Sequence, residues 1–349
     1  MILHVTQLDK FIPPFFNLVR EEFQEEVHKF WLIGSIQQYP VKLDKTTYHC
    51  KPGRWCKLKG YLRLLKQMHQ ARKVMLHGLF DINTVRLLVL CPWLLPKCYW
   101  LIWGGDLYQY NNLKTYWRSH INELLRRFVI SRVGHLVTYI KGDLERAQEW
   151  YGATGTYHEC IMYLSNVVEP KMIRELGTTP ERQELHILLG NSADPSNNHI
   201  EALGRLLPFK RQAIKIFAPL SYGDQKHAKK VISSGKEWFG DKFVPMTDFM
   251  PFEKYVEFLQ SLDIVIFNHQ RQQAMGNTIT LLSIGKTVFM RKNLSHWHFL
   301  TNLGVKLNDV ENIELCRIAP KEAEENSRAI CLYFSRATLV KQLTDIFEG

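Results

Sequence analysis

The sequence predicts an α/β protein made of two Rossmann-like domains that face a cleft. Short apolar runs alternate with amphipathic stretches through both halves of the chain, which favours parallel sheets covered by helices. This alternation restarts after the polar segment 169–184. The 349 residues also suit two domains of ordinary size. We therefore expect one domain over residues 1–168 and a second over 169–349, with a last helix that can pack back on the first.

Each half supplies its own series of strands and helices. In the first half, the predicted strands are 2–5, 30–33, 74–76, 99–103, 135–140 and 160–164, and the predicted helices are 15–26, 82–90, 112–132 and 142–150. In the second half, the predicted strands are 185–189, 213–217, 243–245, 264–267 and 287–290, and the predicted helices include 198–207, 223–234 and 251–262. Strands that alternate with helices indicate crossover connections between parallel strands.

The stretch 263–290 carries the strongest candidate for a ligand site. A polar loop, 268–276, joins a buried strand to a helix that Asn277 and Thr278 are expected to cap. Ligands bind at the carboxyl ends of parallel strands, and a helix N-terminus attracts anions. An ordinary loop would share these features, because neither G-x-G-x-x-G nor G-x-x-x-x-G-K-[ST] occurs. The candidate phosphate ligands are Arg271, Gln272, Gln273, Gly276, Asn277 and Thr278.

A second candidate contact is Gly190-Asn191-Ser192, which also follows a predicted strand and precedes a helix. The N–H groups of Asn191 and Ser192 would face a phosphate or a sugar at such a position. A capped turn rich in Ser, Asp and Asn explains the same residues equally well, so both interpretations remain open.

Two further strand ends carry candidates for a general base. His77 directly follows the predicted strand 74–76, and Asp106 follows Gly104-Gly105 after another predicted strand. Side chains at the carboxyl ends of parallel strands point toward a bound ligand, and both residue types accept protons. Either residue has a structural alternative: a satisfied buried histidine, or an aspartate that caps a turn.

The charge of the chain indicates an anionic partner. The net charge is +11 and the isoelectric point is about 9.2. Residues 45–80 hold nine Lys or Arg and no acid, beside an apolar pattern at helical spacing: Leu58, Tyr61, Leu62, Leu65 and Met68. This pattern predicts an interfacial helix on anionic lipid. The candidate membrane or acceptor contacts are Lys57, Lys59, Arg63 and Lys66. A basic surface helix is the alternative, and helix 112–132 is similar in kind.

Other classes of protein fit the sequence less well. The seven cysteines show neither C-x-x-C nor a zinc spacing, so neither a disulfide framework nor a zinc site is expected. The N-terminus has no signal-peptide pattern. The most apolar run, 85–103, contains Arg86, Pro92, Pro96 and Lys97, which disfavours a transmembrane span. We expect a protein of the reducing cytosol.

Five stretches, in order along the chain, resemble a known family of glycosyltransferases. They are HGLF (77–80), LIWGGDLY (101–108), RVGHLVTYIKGDL (132–144), LLGNSADPSNNHIEAL (188–203) and FNHQRQQAMGNTITLLSIGKTV (267–288). Together they resemble the TDP-N-acetylfucosamine:lipid II N-acetylfucosaminyltransferases, the 4-alpha-L-fucosyltransferase-type family of enterobacterial common antigen synthesis. The resemblance implies a two-domain B-type glycosyltransferase fold, with an N-terminal acceptor domain and a C-terminal nucleotide-sugar domain. Residues 45–73 and those after 308 carry little resemblance, which leaves the acceptor and the exact sugar open.

The resemblance also implies an activity and its partners. We expect transfer of a deoxyamino sugar from a TDP-sugar to a lipid-linked saccharide, by a peripheral enzyme at the cytoplasmic face of the bacterial inner membrane. Asp106 or His77 would be the base in an inverting reaction, and no metal ion or other cofactor is expected. Alternatives are an enzyme of the same fold with a UDP or GDP donor or a non-lipid acceptor, a nucleotide-sugar epimerase, and a nucleic-acid-binding protein. The last lacks a recognised nucleic-acid module, so no nucleic-acid partner is expected.

Overall fold

The computed structural model describes residues 1–24, 27–111, 117–168 and 182–349. These residues form two compact units. The N-terminal unit is Met1–Val167 together with Arg336–Gly349, and the C-terminal unit is Val168–Ser335. Each unit is built on one parallel sheet covered by helices. The predicted α/β fold class is therefore confirmed.

The N-terminal unit contains a seven-stranded parallel sheet in the order β3-β2-β1-β4-β5-β6-β7. Its strands are β1 (Ile2–Gln7), β2 (His28–Ile33), β3 (Thr47–His49), β4 (Lys73–His77), β5 (Cys98–Leu101), β6 (His135–Val137) and β7 (Thr156–His158). Its helices are α1 (Ile12–Glu22), α2 (Arg54–Gln70), α3 (Ile82–Leu90), α4 (Trp117–Ile130), α5 (Lys141–Tyr151) and the last helix of the chain, α12 (Arg336–Glu348).

The C-terminal unit contains a six-stranded parallel sheet in the order β10-β9-β8-β11-β12-β13. Its strands are β8 (Leu185–Leu189), β9 (Ile214–Pro219), β10 (Phe243–Met246), β11 (Ile264–Phe267), β12 (Thr287–Met290) and β13 (Asn308–Asp309). Its helices are α6 (His199–Leu206), α7 (Gln225–Phe239), α8 (Phe252–Gln260), α9 (Met275–Ser283), α10 (Ser295–Asn302) and α11 (Pro320–Tyr333).

The two faces of the N-terminal sheet differ in chemistry because side chains alternate along each strand. One face, with Leu3 and Val5 of β1, packs against buried apolar residues of α2 to α5. The other face carries His4 of β1, whose imidazole contacts Phe15 of α1 and Phe347 of α12. When helices cover both faces of a sheet, every side chain along a central strand is buried instead of every second one. Strand β4 shows this, because all of its residues are buried.

The last helix, α12, belongs to the N-terminal unit. Arg72 and Lys73, which end the α2–β4 connection, donate hydrogen bonds to the carbonyls of Phe347 and Ile346 near the C-terminus of α12. Cations at this end of a helix are favourable because the macrodipole is negative there. Near its middle, Gln342 accepts a hydrogen bond from the Ile161 N–H at 2.9 Å. These contacts hold α12 over the face of the sheet that α1 also covers.

One predicted strand was wrong. The run 160–164 is apolar because Cys160 to Tyr163 are buried, yet it pairs in no ladder, and Met162 has a left-handed φ of 67°. The edge strand is instead Thr156–His158, and Thr47–His49 on the opposite edge was not predicted. Burial produces an apolar run whether or not the backbone is a strand. The predicted end of the first helix at 25–26 and the start of the fourth at 112–116 lie outside the described residues.

Two glycines give a matched test of the packing. A Cβ on Gly134 would lie 2.0 Å from the Pro96 carbonyl oxygen, whereas a Cβ on Gly204, inside α6, would meet nothing within 4 Å. Gly134→Ala should therefore destabilise the fold by about 1–3 kcal/mol through overpacking. Gly204→Ala should stabilise it by about 0.5–1 kcal/mol, because alanine has less backbone freedom to lose in a helix. Thermal unfolding measures both, and a shift of the same sign in the two variants would contradict this packing.

Candidate functional site

Sheet topology alone gives each unit one position where a ligand is expected. In the C-terminal sheet, crossovers run outward from β8 in one direction and from β11 in the other, so β8 and β11 flank a topological switch point. In the N-terminal sheet the switch point lies between β1 and β4. Ligands of open α/β sheets bind outside the carboxyl ends of the strands at such points. These two sheet edges are therefore the candidate sites.

At the C-terminal switch point, the loops that follow β8 and β11 contact each other. Gln273 donates a hydrogen bond to the side-chain oxygen of Asn191 at 3.5 Å and accepts one from the Ser196 hydroxyl at 2.9 Å. Arg271 lies 3.4 Å from the carboxylate of Asp194. The two stretches that the sequence offered as separate phosphate contacts are thus parts of one loop pair.

The first loop of this pair is a tight turn that needs glycine. Gly190 has a φ of 71°, and a Cβ there would lie 2.6 Å from Nε2 of His199 and 2.8 Å from Oδ1 of Asn197. The Asn191 N–H donates to Asn197 Oδ1 at 2.9 Å, and the Ser192 hydroxyl accepts from within the same turn. The Asn191 N–H is therefore engaged within the turn, its contact with a ligand stays a prediction, and the Asn191 side chain is partly exposed.

The second loop ends at a helix whose N-terminus no described side chain caps. Helix α9 starts at Met275, two residues before the predicted cap, and follows Ala274, which is left-handed with a φ of 59°. The first helical hydrogen bond joins the Thr278 N–H to the Ala274 carbonyl at 2.9 Å. The N–H groups of the first turn, including those of Gly276 and Asn277, therefore point out of the helix end. With the positive end of the macrodipole, they form a site for an anion.

Two of the predicted phosphate ligands are engaged elsewhere. The Thr278 side chain is buried, and its hydroxyl donates to the Ala274 carbonyl at 3.1 Å. The Asn277 amide donates to the Tyr255 hydroxyl at 2.9 Å. Neither acts as the N-cap, because the helix begins upstream of both. Of the predicted phosphate ligands, Arg271, Gln272 and Gly276 are partly exposed beside the helix end and are accessible to a phosphate there.

Buried histidines that were not predicted from the sequence support the loop pair from beneath. His269 Nε2 lies 3.0 Å from Asn197 Oδ1, and His199 Nδ1 lies 3.2 Å from His227 Nε2. Burial lowers the pKa of His199 to about 3 and that of His269 well below its usual value, so both rings are neutral. The signal in the sequence was the pairing of Asn with His, in 197–199 at the start of α6 and in 268–269 directly after β11.

The N-terminal switch point holds a small pocket at the ends of β1, β2 and β4. It is lined by Val5, Thr6, Gln7, Trp31, Ile33, Leu76, His77, Gly78, Leu79, Phe80, Asp81 and Thr84. His77 ends β4, and Asp106 lies in the loop that follows β5, the next strand. Both base candidates are therefore near the carboxyl edge of the sheet, as the sequence predicted.

Asp106 has the geometry of a structural carboxylate. Its side chain is fully buried, and Oδ2 accepts from the Leu79 N–H at 3.0 Å and from the Trp100 indole at 2.7 Å. Oδ1 accepts from the Trp103 and Leu107 N–H groups at 3.0 and 2.9 Å. A carboxylate has about four acceptor positions, and all are occupied. Asp106 thus ties together the loops after β4 and β5, and its role as base stays a prediction that this geometry disfavours.

A buried arginine reinforces the same two loops. Arg126 of α4 donates to the carbonyl of Leu79 and, at 2.5 Å, to the carbonyl of Asp106. Its guanidinium also pairs with Glu123 at 3.2 Å, so the buried charge has a counter-ion. Only 3% of Arg126 is exposed, so this arginine is not part of the basic surface that was expected for helix 112–132.

His77 belongs to a chain of buried imidazoles. Its Nδ1 lies 2.7 Å from the Tyr163 hydroxyl, and its Nε2 lies 3.0 Å from Nδ1 of His4, whose Nε2 lies 3.0 Å from Nδ1 of His28. These histidines stand on diagonal positions of three parallel strands, two residues apart in register. Burial lowers the pKa of His77 to about 3. A ring with both nitrogens engaged and so low a pKa is a poor base.

A third candidate base at this switch point, a carboxylate, was missed by the sequence analysis. Asp9 follows β1 by two residues and is partly exposed. Among the described residues, its side chain accepts one hydrogen bond, from the Phe11 N–H at 3.3 Å. The Phe11 ring contacts those of Trp103 and Tyr163. The signal was available, because an acidic residue in the loop after the first strand has a position comparable to that of the candidates after later strands.

The predicted membrane contacts Lys57, Lys59, Arg63 and Lys66 are all exposed on α2. The predicted apolar stripe, however, is divided between two sides of the helix. Met68 is buried with Gly60 and Leu64, whereas Leu58 and Leu62 are exposed together with Trp55. The helix therefore has an inner apolar side that packs on the unit and a separate outer one.

The described residues bear on the expectations about a membrane span and a metal ion. In that part of the chain, no helix is both long enough and apolar enough to cross a bilayer. Over the same residues, no three or more His, Cys, Asp or Glu side chains are grouped as a metal ion would require. The expectation that the reaction needs no metal ion stays a prediction.

The chain matches the family described as 4-alpha-L-fucosyltransferase glycosyl transferase group 56 over residues 4–323. Among solved structures it is similar to HepE from Anabaena in complex with UDP and glucose, with 10% identity, a TM-score of 0.69 and 99% of each chain covered. It is also similar to a glycosyltransferase from Rickettsia africae ESF-5, with 12% identity, a TM-score of 0.64, and 99% of this chain and 97% of that chain covered. A third similar structure is WaaG, a glycosyltransferase involved in lipopolysaccharide biosynthesis, with 12% identity, a TM-score of 0.59 and 100% of each chain covered.

At such identities the likeness to solved structures establishes the fold, and the two parallel-sheet units are those of a GT-B glycosyltransferase. The family match covers most of the chain and confirms the resemblance carried by the five stretches. The chain belongs to glycosyl transferase group 56, the 4-alpha-L-fucosyltransferase family, and is a glycosyltransferase.

Proposed function

We propose that this glycosyltransferase moves a deoxyamino sugar, N-acetylfucosamine or a close relative, from a TDP-sugar to a lipid-linked saccharide at the cytoplasmic face of the bacterial inner membrane. The observation that carries the donor part is the loop pair at the β8 and β11 ends, where Arg271 stands four residues before the uncapped start of α9. Family membership supports transfer of a fucose-type sugar. The cationic outer side of α2 supports a lipid-linked acceptor.

In the proposed reaction, the bond between C1 of the sugar and the diphosphate oxygen breaks while the acceptor oxygen bonds to C1. Negative charge develops on the departing diphosphate. The N–H groups and dipole of α9, together with Arg271, stabilise that charge, as a bound cation does in other transferases. The side chains proposed to hold the donor are Asn191, Arg271, Gln272 and Gln273, with the main chain of Gly276 and Asn277.

The acceptor hydroxyl must lose its proton if the transfer inverts configuration at C1. Asp106 and His77 were the predicted bases, but both have their acceptor positions occupied by neighbouring groups. Asp9 stands at the same switch point with a partly exposed carboxylate that accepts one N–H from the described residues. We therefore assign the base to Asp9, with Asp106 and Tyr163–His77 as the groups that shape its surroundings.

The nucleotide of the donor is the part that another enzyme of this fold would change. HepE is in complex with UDP and glucose, so a UDP-sugar is the first alternative, followed by a GDP-sugar. Thermal unfolding in a panel of TDP-, UDP- and GDP-sugars separates them, because a ligand of the folded state raises the midpoint. A shift by TDP-sugars supports the proposal, and a shift confined to UDP- or GDP-sugars overturns the TDP assignment.

Arg271→Ala should weaken binding of the nucleotide sugar that stabilises the parent. Loss of a charge-assisted contact to phosphate should cost about 1.5–3 kcal/mol, which is roughly 10- to 150-fold in the dissociation constant. Arg328→Ala is the matched control, because Arg328 is an exposed arginine of α11 paired with Glu324. Calorimetry measures both affinities. Equal affinities in the two variants would remove Arg271 from the donor site.

The base assignment is tested by two Asp→Asn variants. Asp9→Asn should lower the turnover number by about 10²-fold or more with little change in donor affinity, because an amide cannot accept the proton. Asp106→Asn should instead lower stability by about 1–3 kcal/mol, since its amide NH₂ would face N–H donors. Kinetics and thermal unfolding of both variants measure this. A fully stable but inactive Asp106→Asn, beside an active Asp9→Asn, would return the role to Asp106.

Turnover should survive removal of divalent cations. The proposed stabilisation of the leaving group uses the α9 N-terminus and Arg271 rather than a cation. The rate of transfer measured with excess EDTA should therefore equal the rate without it. If EDTA abolished transfer and magnesium or manganese restored it, the proposed mechanism at the diphosphate would be wrong.

A further inference from the structure

Large apolar side chains are exposed on the outer sides of two helices of the N-terminal unit. On α2 these are Trp55, which is 75% exposed, with Leu58 and Leu62. A second row stands on α4, where Trp117 is 67% exposed and Leu124 is 65% exposed. Exposed rows of this kind are uncommon on a monomer and mark an interaction surface.

The row on α4 follows helical spacing. Trp117, Ile121 and Leu124 are separated by four and three residues, so they lie on one side of the helix. The opposite side of α4 is buried in the unit through Val129 and Ile130. Helix α4 therefore has two apolar sides. The inner one packs on the sheet, and the outer one is exposed to solvent.

The two rows share one face of the N-terminal unit. The connections from β3 to β4, β4 to β5 and β5 to β6 all advance in the same direction across the sheet, and right-handed crossovers then place α2, α3 and α4 on the same side. Helix α3 packs between the other two, so the axes of α2 and α4 are about 20 Å apart. Trp55 and Trp117 stand at the N-terminal ends of their helices, which is the sheet edge where the pocket opens.

The charge exposed on the two helices themselves has a single sign. Helix α2 and its flanks, within 45–80, contain no acid, and Lys59, Arg63 and Lys66 are exposed beside the apolar row. On α4, whose fourteen residues are all described, the acid Glu123 is buried against Arg126, whereas Arg118 and Arg127 are exposed. Tryptophan and leucine among exposed cations complement a bilayer with anionic headgroups, because the ring and stem enter the interface while the charges stay at the surface.

We propose that the outer sides of α2 and α4 together form a lipid-binding surface, in which the α4 row enters the bilayer and the α2 cations attract anionic headgroups. The proposal rests on the proposed function for its choice of a bilayer, and it adds the residues and the division of labour between two helices. An interfacial element needs both the apolar and the coulombic contribution, since each alone gives marginal, reversible binding.

The same helix connects the lipid surface to the acceptor pocket. On the inner side of α4, Arg126 holds the carbonyls of Leu79 and Asp106, which belong to the loops after β4 and β5. A bilayer that binds the outer side of α4 therefore also sets the position of these loops relative to the membrane surface. This geometry directs the pocket toward saccharides that are anchored in the same bilayer.

Vesicle co-sedimentation of the full chain tests the surface without donor or acceptor. The vesicles are pure phosphatidylcholine or phosphatidylcholine with phosphatidylglycerol, at low and high salt. The α4 variant changes Trp117, Ile121 and Leu124 to Ser, and the control changes three exposed apolar residues of the C-terminal unit, Leu207, Phe249 and Leu332, to Ser. A third variant changes Lys57, Lys59, Arg63 and Lys66 to Gln.

The parent and the control should bind anionic vesicles well and neutral ones poorly. The α4 variant should lose about tenfold or more in partitioning at both salt concentrations. At low salt, the partitioning of the Gln variant onto anionic vesicles should fall roughly a thousandfold, which is about tenfold or less for each charge removed. High salt should lower the partitioning of the parent in the same way, because it screens the same charges. Thermal unfolding checks that each variant is folded, and an unfolded triple variant is replaced by Trp117→Ser alone with the same expectation.

Three results would overturn the proposal. The first is an α4 variant that binds anionic vesicles as well as the parent does. The second is a parent that binds neutral vesicles as well as anionic ones. The third is self-association of the parent that the α4 variant loses while its vesicle binding persists, because the α4 row would then join two copies of the chain. The thermal shift by nucleotide sugars is measured separately on the same variants. A shift without vesicle binding would leave the proposed glycosyl transfer standing while the lipid surface fails.

Discussion

Parallel pairing is the constraint on which both units depend. Each strand that the structure describes runs parallel to its neighbours, so every connection must cross over and every loop with chemistry ends at one edge of its sheet. Each sheet reverses its direction of growth once, between β1 and β4 and between β8 and β11. The loop pair around Arg271 and the pocket beside Asp9 lie at those reversals. Residues far apart in the chain, such as Asn191 and Gln273, meet for this reason alone.

The polar groups buried under these edges explain why the edges keep their shape. An unpaired carboxylate or imidazole would be costly in the interior, and the groups buried beneath the N-terminal switch point have partners. Asp106 accepts four hydrogen bonds, Arg126 has a counter-ion, and His28, His4 and His77 satisfy one another in a row. Hydrogen-bond networks in which every member has a partner keep the loops above them in a single conformation. Their acceptor positions are thereby occupied, which is why the proposed base is the less constrained carboxylate of Asp9.

The helices that cover the N-terminal sheet have two separate roles on opposite sides. Leu64 and Met68 of α2 and Val129 of α4 pack on the sheet, whereas Trp55 and Trp117 face outward among cations. In the proposed function both roles serve one purpose. The inward contacts position the pocket, and the outward row and charges would place that pocket at a bilayer, where a lipid-linked saccharide is confined.

The sequence by itself determined the α/β class, the existence of two units, most strands and the loops at 190–192 and 268–276, because these depend on local periodicity and on turn chemistry. Only the tertiary structure decided which polar residues are available. A carboxylate after Gly104-Gly105 gives the same local pattern whether it faces a ligand or four N–H groups, and Arg126 looks like any surface cation until Leu79 and Asp106 are placed beside it. The run 160–164 is apolar like a strand because it is buried, not because it pairs. Burial and hydrogen-bond saturation are properties of contacts between distant segments, and a local pattern contains no information about them.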